Sequence, residues 1–227
     1  MSQTSMTSSA IPDANAIWLR DRRIERVQTV FARRGIESGF VETGAEALAY
    51  VLARIPRDVV VGLGGSVTLR QIGLWDALDR LGVTVLNHQL VGLAKAERHE
   101  LRRRGVTADL YVMGCNAISE TGAVVVANQS GNAIAALAFG AKAVILVASV
   151  QKIVSSTDEA IARVFKAAAP ANAHRSGEFR PPCFDDGICR EDLCDAPNRL
   201  CNKLFVLHGE AIPGRVHLLL VGDALGL

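Results

Sequence analysis

The sequence predicts an α/β fold: an open, mainly parallel sheet with helices on both faces. Three observations predict it. Short apolar runs alternate with stretches of helical periodicity, the pattern left by strand–helix–strand crossovers. The runs are nearly continuous Val, Leu and Ile, as strands covered on both faces require. Hydrophobic residues make up 49% of the chain but aromatics only 5%, so the core must be aliphatic. A length of 227 residues suits a single α/β domain, which we place at residues 13–227 behind a disordered Ser/Thr-rich tail at 1–12.

From Asp13, Ile17, Ile24, Val27, Val30 and Phe31 recur at helical spacing, and Gly35 is a stop signal. Thr43 then caps a helix over Ala45–Arg54, with Glu46 completing a capping box and Pro56 following its end. Asp58–Leu63 is the first buried strand; it runs into Gly64-Gly65-Ser66 and a helix over Val67–Leu81. Val83–Leu86 is the second strand and Lys95–Arg104 a helix. Leu110–Met113 and Ala123–Ala127 are the third and fourth strands, and Gly131–Phe139 a small-residue helix. Lys142–Val147 is the fifth strand, Asp158–Ala168 a helix, and Lys203–Leu207 and Arg215–Leu220 close the fold as strands. Arg180–Asn202 breaks the pattern. With three prolines, four cysteines and neither periodicity, it reads as a loop insert tied down by its cysteines.

Charge narrows the function classes. The net charge is +2, from 25 basic and 23 acidic residues, which gives no footprint for nucleic acid. The basic clusters at 20–26 and 102–104 fall in helical stretches and read as solvated helix faces. The first ten residues do not have the layout of a signal peptide, and the longest apolar runs, such as Ala143–Val150, are too short to cross a bilayer. The expectation is a cytoplasmic protein without a membrane partner, its five cysteines kept reduced.

The glycine turn after the first strand is the first candidate site. Gly64 and Gly65 let the backbone bend sharply and approach a ligand, and Ser66 adds a hydroxyl. A tight turn with no ligand is the alternative. Cys183, Cys189, Cys194 and Cys201 form the second, at the spacing C-x5-C-x4-C-x6-C. Four thiolates suit tetrahedral zinc or an iron–sulfur cluster, but the spacing matches neither paired C-x2-C knuckles nor the bacterial ferredoxin run. Disulfides and free thiols in a plain loop are the alternatives. The five histidines are scattered, and Cys115 after the third strand reads as a small buried hydrophobe.

Several strings together resemble the LUD (lactate-utilization) family. They are Val61-Gly-Leu-Gly-Gly-Ser66, Asp109–Gly122, Ser130-Gly-Asn132, Gln151-Lys-Ile-Val154 and Ala169-Pro-Ala-Asn172. The match spans roughly residues 15 to 227, and the cysteines place the chain nearer the family's cysteine-bearing branch. Gln151 stands where Asn is expected. The resemblance implies a Rossmann-like fold related to ribose-5-phosphate isomerase, glucosamine-6-phosphate deaminase and CoA transferases.

It also implies roles. The turn at Gly64, Gly65 and Ser66 would cradle a phosphate, carboxylate or nucleotide group. Glu120, in Ser119-Glu-Thr-Gly122, would act as nucleophile or general base by likeness to CoA transferases, the alternative being a turn cap or ion pair. Lys152 and Asn172 would complete the pocket, and Gly131 and Asn132 would offer a second anion contact, with a solvated lysine and a plain N-cap as the alternatives. The ligand is then a small anionic metabolite, and Ser66 and Glu120 are expected to converge on it. Iron–sulfur redox proteins are the implied partners, which makes a [4Fe-4S] cluster the first choice over Zn at the cysteines. A non-catalytic electron-transfer or metabolite-sensing subunit is the competing function. The Leu-rich closing strands point to a homodimer.

Overall fold

The computed structural model describes residues 13–177 and 179–227; the expected tail at 1–12 lies outside them. Helix α1 (Ala14–Ala32) starts where Asp13 accepts a hydrogen bond from the Asn15 amide. Strand β1 (Glu37–Val41) follows, then α2 (Gly44–Leu52), whose Thr43–Glu46 capping box forms as expected. Next come β2 (Val60–Leu63), α3 (Val67–Gln71) and α4 (Leu74–Leu81). The expected helix over 67–81 is thus broken. Gly73 sits at φ 73°, a left-handed conformation that ends one helix and opens the next.

The chain continues through β3 (Thr84–Leu86), α5 (Lys95–Val106), β4 (Leu110–Met113), β5 (Ala117–Ser119) and β6 (Ala123–Asn128). Helix α6 (Asn132–Ala135) runs into a π-helical turn before β7 (Ala143–Ser149). After a 3₁₀ turn come β8 (Ile153–Val154), α7 (Thr157–Arg163), a second π-helical turn and α8 (Ala169–Ser176). The insert contributes only a helical turn, α9 (Cys183–Asp186), and a 3₁₀ turn at 191–193. Strands β9 (Lys203–Leu207) and β10 (Val216–Val221) close the chain.

Six strands form one parallel sheet in the order β1-β10-β7-β4-β2-β3. Alternate side chains divide between two cores. Val144, Leu146 and Ala148 face α1 and the π-helical turn after α6 through Val27, Phe31 and Leu137. Ile145 and Val147 face α2 to α4 through Val51, Leu69 and Leu78. Helices therefore cover both faces, and β4 is buried along its whole length.

Two expectations are corrected. The run at 123–127 belongs not to the parallel sheet but to a second sheet, β8-β5-β6-β9, in which β6 is antiparallel to both β5 and β9. One face of this sheet, with Ile118 and Val124, joins the α1 core; the other, with Ala117 and Val125, packs under Ala160 and Val164. The Leu-rich β10 is not an outer strand either. It pairs with β1 and β7, and Leu218, Leu219 and Leu220 are fully buried; of the two closing strands only β9 lies at a sheet edge, with Leu204 exposed.

Among the described residues, no helix is long and apolar enough to cross a membrane.

Candidate functional site: a cationic cavity at the sheet edge

The chain leaves β2 toward β3 on one side, yet β4 lies on β2's other side. In open α/β sheets such a reversal opens a crevice beyond the carboxyl ends of the strands. Here the crevice is a cavity of about 240 Å³, lined from one wall by Gly64, Gly65 and Ser66 after β2, and from another by Gly114, Cys115 and Asn116 after β4.

Close packing explains the glycines. A Cβ on Gly64 would stand 2.8 Å from the Met113 Cβ, and one on Gly114 2.6 Å from the Ser66 hydroxyl oxygen. Ser66 is the N-cap of α3, its Oγ accepting from the Leu69 amide at 3.4 Å. A Cβ on Gly65 would meet only the end of the Gln89 side chain, itself in the cavity wall. The glycines of this turn thus separate into one that the fold requires and one that faces the cavity.

Lys152 comes from the 3₁₀ turn after β7 and is only 4% exposed. Its ammonium donates to the Cys115 carbonyl at 3.1 Å and to Thr68 Oγ1 at 3.5 Å. Burial holds it below the ordinary lysine range, partly offset by the Cys115 thiol, and the nearby Arg163 adds to the depression. No ion pair among the described residues joins Lys152 to a carboxylate. Arg102 from α5 and Arg175 from α8 line the same space, and no Asp or Glu is among its lining residues.

The remaining expected residues divide. Asn172 lines the cavity with its Oδ1 taken by the Arg175 guanidinium at 2.7 Å. Asn132 lines it too, but is not the helix cap. That place belongs to Gly131 at φ 91°, while Asn132 donates to the Tyr111 hydroxyl at 3.2 Å and accepts from Ser130 at 2.7 Å. Gly131 itself is not among the lining residues, although its neighbours on either side are. The Gln151 amide turns away and donates to the Leu225 carbonyl at 3.1 Å.

Glu120 is not brought to the cavity, which overturns its expected convergence with Ser66. The reason is the three-residue strand β5, absent from the expected element order. Asn116, at the open end of the β5–β6 hairpin, lines the cavity; Glu120 lies in the turn at the hairpin's other end. There its two carboxylate oxygens accept from Arg23 at 2.7 Å and Arg26 at 2.5 Å, both on α1. Burial pushes this carboxyl up, but the hydrogen bonds from Arg26 and Arg23 prevail and hold it below the ordinary range. The arrangement is the ion pair weighed as the alternative.

Other cavity residues were not anticipated. His88 is buried, and burial together with Arg102 and Arg98 lowers its pKa to about 4. In the sequence Arg102 is part of the basic cluster at 102–104, whose pattern is that of a solvated helix face. Helical phase is what separates its side chain from those of Arg103 and Arg104, which do not line the cavity.

A second, smaller cavity is lined by all four cysteines of the insert together with Ala169 and Ala173 of α8. The thiols are free of disulfides. Among the described residues, no group of three or more His, Cys, Asp or Glu side chains is arranged to hold a metal ion.

Fold and site together define a Rossmann-like α/β protein with a cationic crevice at the carboxyl edge of its sheet. The LUD domain family model matches residues 24–221, and the chain belongs to that family. Membership associates it, at the coarsest level, with lactate utilization. Among solved structures it is similar to a DUF162 family protein from Deinococcus radiodurans, at 18% identity over 89% of this chain and 98% of that one, TM-score 0.49. It is similar to a D-ribose-5-phosphate isomerase in complex with phospho-erythronic acid, at 19% identity over 50% of this chain and 54% of that one, TM-score 0.34. It is also similar to eIF2B beta from Chaetomium thermophilum, at 19% identity over 51% and 44%, TM-score 0.35. No curated protein matches the sequence significantly.

Proposed function

We propose that this protein binds a small anionic metabolite in the cavity between Gly64–Ser66 and Lys152, within a cytoplasmic system of lactate utilization. The observation that carries the reading is Lys152. A buried ammonium is costly unless a negative charge accompanies it. Lys152 has two neutral acceptors, no carboxylate partner among the described residues, and a cavity wall without Asp or Glu. An anionic ligand supplies the missing charge, with Arg175 and Arg102 at hand to share it.

Size narrows the ligand. Pockets for drug-sized molecules span roughly 300–1,000 Å³, so about 240 Å³ suits a small carboxylate or a phosphate monoester better than a nucleotide or acyl-CoA buried whole. The side-chain amides of Asn116, Asn128, Asn132 and Gln89 add hydrogen-bonding capacity for hydroxyl groups on such a molecule.

Thermal unfolding in the presence of lactate, pyruvate, inorganic phosphate, glycerol 3-phosphate and ribose 5-phosphate tests the reading. At least one of these anions raises the midpoint in the native chain and not in Lys152→Met. If none raises it, or if the variant responds equally, the proposal fails.

A further inference from the structure

We propose that Cys183, Cys189, Cys194 and Cys201 are the ligands of one four-thiolate metal centre, zinc or iron–sulfur in kind, set in the wall behind the anion cavity. The proposal stands on the insert alone and does not depend on what the cavity binds.

Nineteen residues with little regular structure nonetheless bring all four cysteines to the lining of one small cavity. The rest of that lining is largely apolar: Ala169, Ala173, Pro181, Pro182 and Leu200. Bare thiols gain little from such convergence. The segment also lacks a core of its own. Of its three large aliphatic side chains between the cysteines, Ile188 and Leu193 point outward at 56% and 62% exposure, and only Leu200 turns toward the small cavity. A metal held by deprotonated ligands supplies the folding energy that buried apolar surface does not.

Charge agrees. Four thiolates around a divalent ion carry a net negative charge, and the Arg199 guanidinium lies in the field of Cys201 and Cys194. Loading removes one proton from each thiol to solvent and replaces four S–H bonds by four metal–sulfur bonds. The four cysteines share the cavity wall without forming a preset single-ion site among the described residues. A single zinc ion therefore requires them to draw together, whereas an iron–sulfur core spaces its ligands around several metal atoms.

The full-length chain, purified anaerobically, is assayed for iron, zinc and sulfide. Metal-free chain is then offered Co²⁺ in one arm and ferric and ferrous iron in equal parts with sulfide in the other. The expected result is either about one zinc or cobalt per chain with thiolate charge-transfer absorption, or iron matched by sulfide with broad visible absorption. Cys194→Ser and Cys201→Ser lower the bound metal roughly tenfold or more, while Cys115→Ser retains it. Metal-free protein whose four thiols titrate freely and take up metal in neither arm overturns the proposal. So does uptake that survives Cys194→Ser combined with Cys201→Ser.

Discussion

Lys152 donates its buried ammonium to the backbone carbonyl of Cys115 at 3.1 Å, across the edge where β4 and β7 end. A carbonyl orients a charge without neutralising it. That relationship makes the cavity cationic and gives the site its first test.

Lys152→Met removes a buried charge and keeps the volume of its stem. The ligand-free protein should gain on the order of 1 kcal/mol in chemical denaturation, because a well-packed apolar side chain has no desolvation to overcome. A loss of stability would mean that the two hydrogen bonds outweigh burial.

The same group sets a pH window. Its folded-state pKa lies below the ordinary 10.5, so the unfolded chain holds this proton more tightly. Stability of the ligand-free protein therefore rises with pH through the depressed folded value toward 10.5, relative to Lys152→Met. Anion affinity falls over that window as the ammonium is lost. Parallel denaturation of the two proteins at several alkaline pH values reads the difference.

His88 works in the acid range with the same sign. Its folded pKa of about 4 lies below 6.5, so its contribution is complete above 6.5 and is lost as pH falls toward 4. The loss approaches ~3 kcal/mol at most. His88→Gln should flatten the stability profile between these values, and the imidazole NMR shift of native His88 should stay at its neutral position at pH 5.5.

The glycines of β2 and its turn should separate by mutation. A Cβ on Gly62 would stand 2.5 Å from the Tyr111 ring and 2.9 Å from the Gly105 carbonyl oxygen. Gly62→Ala should cost about 1–3 kcal/mol in urea unfolding. Gly65→Ala meets only a movable Gln89 side chain at 3.1 Å and should cost under about 1 kcal/mol, while altering ligand affinity.

Much of this was legible in the chain, for identifiable reasons. The continuous aliphatic runs marked β2, β4, β7 and β10 because strands covered on both faces have no polar alternation. Glu37–Val41 escaped notice because Gly39 and polar neighbours interrupt a strand at the sheet's edge. The second sheet was hidden because periodicity reports burial, not which strand is the partner. The Gly64–Ser66 turn could be read from its glycines. Arg102 and Arg175 could not, since an arginine aimed into a cavity and one in solvent look alike on a helix. The distance of Glu120 from the cavity is invisible in the sequence because one three-residue strand carries it to the far end of a hairpin. The convergence of four cysteines on one cavity needed coordinates, although their number did not.

Isothermal titration of the most stabilising small anion into native, Lys152→Met and Glu120→Gln proteins separates the two carboxyl-edge readings most directly. Binding should weaken at least about tenfold in Lys152→Met, which corresponds to roughly 1.4 kcal/mol. It should be unchanged in Glu120→Gln, whose only loss is the partly exposed pairing with Arg23 and Arg26. Undiminished affinity in Lys152→Met, with binding abolished in Glu120→Gln, would contradict a ligand site built around the buried lysine.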